Sequence, residues 1–200
     1  MDLEYIIKNC IFENLSDNRD LNEFNCSSKD LNKFFKNDAL KQQNQKLSVT
    51  KLIICDDKII GYVSLLADTI ELKHIKKNPL KMGLIKEFPT INKIPATKIG
   101  RYAIDEKYTK KGLGSVILLN VVKNIEIISE NIGLRYITVD AYATAYDFYR
   151  KNNFNHFQIS SEINKVNKLE IIKKTNPKQT IMMYQDLKKM YKNLEWNKPF

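Results

Sequence analysis

Ile99-Gly100-Arg101-Tyr102-Ala103-Ile104, followed by Asp105-Glu106-Lys107-Tyr108 and then Thr109-Lys110-Lys111-Gly112-Leu113-Gly114-Ser115, is the stretch on which the reading of this chain turns. Residues 97–104 read as a strand ending at Asp105. Ser115 to Ile128 read as a long apolar helix, with Val116, Leu119, Val122, Ile125 and Ile127 alternating with Asn120, Lys123, Asn124 and Glu126. Between them lies a short basic loop with two glycines. Gly112 and Gly114 let the backbone approach a ligand closely and adopt conformations barred to other residues. The first turn of a helix carries unpaired N–H groups and the positive end of the dipole, an environment that favours a phosphate or pyrophosphate. Lys110, Lys111 and Ser115 add charge and a hydroxyl. A lone Gly-x-Gly is also a common tight turn before a helix. A Rossmann fingerprint needs a third glycine where Ile117 stands, and a P-loop closes with Gly-Lys-Ser/Thr, which is not present.

Working outward, Tyr5, Ile6, Ile7, Ile11 and Phe12 predict a strand over the first dozen residues. Ser27-Ser28-Lys29-Asp30 offers helix caps, and Leu31, Phe34, Phe35 and Leu40 recur at helical spacing to about Gln45. Val49–Cys55 and Ile59–Leu66 flank an Asp56-Asp57-Lys58 turn and read as a hairpin. Lys73 to Pro95 holds three of the five prolines and many lysines, which predicts a loop with one short helix at most. Downstream, the expectation is a strand over Arg135–Ala141 and a helix from about Thr144 to Asn152. Two closing strands follow, Phe154–Ser160 and Thr180–Gln185, joined by an Asn/Lys-rich excursion, and Asp186–Leu194 suits a short basic helix. A hairpin-rich first half and a βαβ-like centre make one α/β (α+β) domain spanning residues 1–200.

With these elements in place, the central stretch resembles motif A of the GNAT acetyltransferase superfamily: a strand, then Gln/Arg-x-x-Gly-x-Gly/Ala, then a helix. Thr109-Lys110-Lys111-Gly112-Leu113-Gly114 matches at both glycines, with Thr109 standing where the family has Gln or Arg. The resemblance implies the GNAT fold, a mixed central sheet of about six to seven strands flanked by helices. It implies acetyl-CoA as cosubstrate and no metal. The pyrophosphate would sit around Lys110–Ser115, Leu113 included, and the pantetheine arm would pair with the backbone of Tyr102, Ala103 and Ile104 like an added strand.

Ala145-Tyr146-Asp147-Phe148-Tyr149-Arg150-Lys151-Asn152-Asn153-Phe154 is similar to the family's motif B. Tyr142 stands at the usual Asn, and Asn153 replaces a glycine, a residue type that also tolerates a left-handed helix end. The resemblance makes Tyr149 the general acid toward the departing thiolate. A phenol with a reference pKa of about 10 is protonated at neutral pH and able to donate. The plain alternative is a core aromatic. Asp105, Glu106, Asp140 or a water chain are candidate bases, and none is assigned.

A narrower likeness covers about residues 20 to 155. Phe24-x-Cys26, Leu31, Phe34-Phe35 and Ala39, continued by Ile99–Asp105 and Ile132-Gly133-Leu134-Arg135, resemble the tRNA-acetylating toxins paired with ribbon-helix-helix antitoxins. That resemblance implies the α-amine of aminoacyl-tRNA as acceptor, an antitoxin partner and a homodimer. A stand-alone acetyltransferase for another small-molecule or protein amine, and a non-catalytic acyl-CoA- or RNA-binding module, remain the alternatives. The formal charge of +10 attracts polyanions, CoA and tRNA alike, although solubility alone also accounts for it. Three scattered cysteines without a Cys-x-x-Cys pair, and only two histidines, provide neither a disulfide framework nor a zinc ligand set. The N-terminus shows no signal-peptide pattern and no apolar run approaches the roughly 20 residues of a membrane span. The expected compartment is the cytoplasm, with no membrane partner.

Overall fold

The computed structural model describes residues 3–72, 86–109, 112–156 and 166–190. Its strands are β1 (Ile11–Asn14), β2 (Val49–Cys55), β3 (Lys58–Glu71), β4 (Lys93–Ile104), β5 (Tyr136–Tyr142), β6 (Asn155–His156) and β7 (Thr180–Asp186). Its helices are α1 (Leu3–Asn9), α2 (Lys29–Lys33), α3 (Ala39–Asn44), α4 (Leu113–Ser129), α5 (Tyr146–Lys151), α6 (Val166–Thr175) and α7 (Leu187–Met190). The seven strands form one sheet in the order β1-β2-β3-β4-β5-β7-β6, within the number expected. The chain groups into two compact units, Met1–Ala67 with Lys98–Lys123, and Asp68–Thr97 with Asn124–Phe200.

In the first unit, the β2–β3 hairpin turns through Asp56 and Asp57, whose φ values of 49° and 60° are the left-handed pair that a two-residue turn requires. Ser28 caps α2 by accepting from the N–H of Leu31. The expected helix to Gln45 is present, but Phe34–Asp38 forms a π turn between α2 and α3. That turn leaves both Phe34 and Phe35 buried. Phe35 stacks on Tyr62 with centroids 4.3 Å apart, and Phe24 meets Phe35 edge-on at 4.8 Å. Such pairs add about 0.5–1.5 kcal/mol each beyond their area. The Tyr62 hydroxyl is satisfied by the Leu31 carbonyl at 2.8 Å, and the Arg101 guanidinium covers Phe34 at 5.1 Å.

The strand expected over the first dozen residues is corrected here. Residues 3–9 form α1, and β1 begins only at Ile11. The helix is supported by spacings of four: Lys8 pairs with Glu4 at 2.9 Å, and the Asn9 amide donates to the Tyr5 carbonyl. Ile6 is its buried anchor.

In the second unit, β5 and β7 are antiparallel from Tyr136↔Asp186 to Tyr142↔Thr180. Tyr136 packs with Ile70, Leu72, Ile94 and Ala96. Arg135 donates to the buried Asp186 carboxylate at 3.1 Å. Strand β4 starts at Lys93, earlier than the Thr97 expected, and takes in Pro95 near its start, where a missing N–H is tolerated. The Pro95 carbonyl still accepts from Arg135 N–H at 3.0 Å. The Asn/Lys-rich excursion contains α6, which its composition hides. Residues 73–85, 157–165 and 191–200, on which parts of the loop, closing-strand and terminal-helix expectations fall, lie outside the described residues.

Candidate active site

In the first unit, the residues expected to hold the cofactor stand where β4 leaves the core. Ala103 is buried against the Phe24–Phe35–Tyr62 cluster, and Ile104 leans on Gly61. A β-carbon at Gly61 would come within 2.8 Å of the Ile104 side chain and 2.9 Å of the Ala103 carbonyl, so this glycine sets how closely β3 can approach. Asp105 follows and is only 2% exposed. One of its oxygens accepts the Asn25 N–H and the other the Lys107 N–H, both at 2.9 Å. The Glu106 N–H bonds to the Asn25 carbonyl, and Asn32 holds the same segment through Asn25 and Cys26. This network fixes the end of β4 and launches the loop.

Gly112 is exposed with φ +76°, a left-handed conformation that an L side chain adopts only at a cost of about 1–2 kcal/mol. Open space lies where its β-carbon would be. The Gly112 carbonyl accepts from Ser115 N–H at 3.0 Å and Val116 N–H at 3.3 Å. The N–H groups of Gly112, Leu113 and Gly114 precede the first intrahelical bonds, the place where a helix start leaves its donors without intrahelical acceptors. Leu113 is buried and pins the turn, while Gly114 and Ser115 are half-buried. The Tyr102 hydroxyl donates to the Gly114 carbonyl at 2.6 Å, tying the strand to the first turn of α4. Lys110 and Lys111 lie outside the described residues. Helix α4 buries Leu113, Ile117, Leu118, Val121, Val122 and Ile125, whereas the apolar Leu119 and Ile127 face out at 44% and 52% exposure.

The acid expected from the sequence lies in the second unit. Tyr149 sits on α5, 6% exposed, edge-on to Phe148 at 5.2 Å and to Phe154 at 5.3 Å. Its hydroxyl has no hydrogen-bond partner among the described residues. Burial alone pushes its pKa up from the usual phenol value, which keeps it protonated. Asn153 closes the helix at φ 65°, the left-handed end that its residue type tolerates. On the same helix the Tyr146 hydroxyl meets His156 Nδ1 at 2.7 Å.

Two features escape the sequence. Asp105, a candidate base by residue type, is a structural clamp whose two oxygens are taken by backbone N–H groups. Its partner Asn25 is 80 positions away, and no local spacing announces it. The toxin-like opening is likewise a packing signature, because Phe24, Cys26, Phe34, Phe35 and Ala39 are all buried in one cluster with Leu31 against it. Those residues speak for the fold and say nothing about the acceptor. Among the described residues no group of His, Cys, Asp or Glu is placed to hold a metal ion, and no helix is long and apolar enough to cross a membrane.

No family model matches the chain, and no curated protein matches it in sequence. Solved structures do. A Tyr-to-Phe mutant of KacT superposes with a TM-score of 0.72 at 18% identity, over 93% of this chain and 99% of its own. AtaT complexed with acetyl-methionyl-tRNAfMet gives 0.72 at 19% identity, over 92% and 99%. A Tyr-to-Phe mutant of the AtaT toxin, bound to acetyl-CoA and the C-terminus of the antitoxin AtaR, gives 0.66 at 19% identity, over 94% and 99%. The fold is therefore the GNAT fold that these proteins share.

Proposed function

We propose that the chain is an acetyl-CoA-dependent N-acetyltransferase whose acceptor is the α-amine of aminoacyl-tRNA. The observation that carries this reading is the left-handed Gly112 at the mouth of α4, open to solvent, in a chain with the fold of toxins solved with acetyl-CoA. Gly112, Leu113, Gly114 and Ser115, with Lys110 and Lys111, hold the pyrophosphate through backbone N–H groups and charge. The backbone of Tyr102, Ala103 and Ile104 holds the pantetheine arm.

The neutral amine attacks the thioester carbonyl, its nitrogen gives up its surplus proton to water, and the tetrahedral intermediate collapses by breaking the C–S bond, after which water reprotonates the Tyr149 phenolate. Tyr149 donates its phenolic proton to the departing sulfur, a role that its protonated, unpartnered hydroxyl suits. Proton loss from the amine favours an α-amine. With a pKa of about 8, roughly a tenth of an α-amine is neutral at pH 7, against well under a thousandth of a lysine side chain at about 10.4. An α-amine thus reacts without a dedicated base, which matters because the Asp105 oxygens are already engaged. The net charge of +10 supports a tRNA acceptor, whose phosphates dominate affinity. AtaT, solved with acetyl-methionyl-tRNAfMet, supports it too.

AtaT bound to the C-terminus of AtaR supports extending the proposal to an antitoxin partner; the proposal further takes that partner as of ribbon-helix-helix type and the chain as a single-domain, cytoplasmic homodimer. The test is incubation with labelled acetyl-CoA and charged total tRNA, then nuclease digestion and mass spectrometry. N-acetylated aminoacyl-adenosine is the expected product. Label transferred only to small amines or protein would overturn the tRNA acceptor, and no transfer at all would overturn the enzyme.

A further inference from the structure

Cys10 and Cys55 lie 45 residues apart in sequence yet come together in the first unit. The β1–β2 ladder ends on the pair Ile11↔Ile54, so Cys10, just before Ile11, and Cys55, just after Ile54, flank that last pair. Continued by one residue, the same register sets the two Cα atoms about 4.5–5.5 Å apart, inside the roughly 4.4–6.8 Å that a disulfide spans. Both are reduced; Cys55 is fully buried, while Cys10, at the junction of α1 and β1, is half-buried and open to a reagent.

We infer that Cys10 and Cys55 form a redox latch, with Cys10 the entry thiol and Cys55 the resolving thiol, closed by a small-molecule disulfide as oxidant. The Cys10 thiolate displaces one half of the oxidant, forming a mixed disulfide and releasing one thiol. The Cys55 thiolate then attacks the Cys10 sulfur and expels the second thiol. Two protein thiols supply the two electrons and two protons that convert one disulfide molecule into two thiols. The bond ties the end of α1 to the last residue of β2, beside the Asp56–Asp57 turn, and closes a loop that contains the Phe24, Phe34 and Phe35 core. Burial, the Cys55 thiol and the nearby Asp56 charge push the Cys10 thiol up to about 12. The latch therefore closes slowly, unlike a catalytic dithiol, whose thiolate is populated near neutral pH. This inference is independent of the acetyltransferase reading.

The test uses the reduced full-length chain incubated with glutathione disulfide, followed by thiol titration, peptide mapping and thermal melts. Titratable thiols are expected to fall from the three of the sequence to one. Mapping is expected to find a Cys10–Cys55 cross-linked peptide, and the melt to rise by several degrees and return on reduction. Cys26 is buried with its thiol on the Ser28 carbonyl at 3.5 Å and serves as the internal control. Cys26→Ser should still lose two thiols, and Cys10→Ser, at the more exposed position, should form no intramolecular cross-link. Three thiols persisting, a cross-link through Cys26, or Cys10 arrested as a mixed disulfide with Cys55 free would each overturn the latch.

Discussion

Around Gly112 the backbone is exposed, and its left-handed φ leaves open space where a side chain would stand, whereas Tyr149 is buried edge-on between two phenylalanine rings. The first region works through main-chain geometry, so it should tolerate added volume and fail on added negative charge. The second works through one hydroxyl that no described residue satisfies, so it should lose chemistry without losing stability. The two regions thus break in different currencies, and substitution can separate them.

The largest effect is expected from Tyr149→Phe. Loss of a general acid lowers kcat by about 10²–10⁴-fold, while acetyl-CoA affinity and the melting temperature stay at wild-type values because no hydrogen bond is removed. Steady-state kinetics beside a thermal melt reads both. The pH profile sharpens the point. With an α-amine acceptor, the rate should climb as the amine deprotonates near about pH 8. A raised phenol pKa keeps the acid form in place, so no decline attributable to Tyr149 should begin at the ordinary value near 10.

Gly112→Glu comes next. A carboxylate within a few ångströms of a pyrophosphate at an exposed site should weaken acetyl-CoA binding by about a hundredfold or more. Gly112→Ala should keep binding and lose only the roughly 1–2 kcal/mol of left-handed strain, measured by denaturant titration. Asp105→Ala leaves two part-buried backbone N–H groups without their acceptor and should lower stability by about 1–3 kcal/mol, with loosening around residues 25 and 107 visible in hydrogen exchange. The smallest change is Asn153→Ala, about 1 kcal/mol destabilising, whereas Asn153→Gly should be neutral or slightly stabilising.

The regions that were legible in sequence are those whose constraints are local. The glycines of the loop, the Ser28 cap, the Asp56–Asp57 turn and the left-handed Asn153 each announce a backbone requirement within a few positions. What stayed hidden depends on distant partners or on weak periodicity. Tyr5-Ile6-Ile7 fits a strand or a helix equally well, and only the Glu4–Lys8 and Tyr5–Asn9 spacings tip it to α1. Helix α6 hides in a polar composition. The inward face of α4 is not readable from apolarity, because Leu119 and Ile127 are apolar yet exposed. The clamp by Asp105 and the approach of Cys10 to Cys55 across the end of the β1–β2 ladder need the fold before they can be read.

The account rests on backbone donors at the start of α4 holding the diphosphate of an acyl carrier. Isothermal titration of acetyl-CoA into the wild-type chain, Gly112→Glu and Tyr149→Phe tests it most directly. Saturable binding by the wild type and Tyr149→Phe, with none detectable for Gly112→Glu, is the predicted result. No heat of binding in the wild type, or equal affinity in Gly112→Glu, would contradict it.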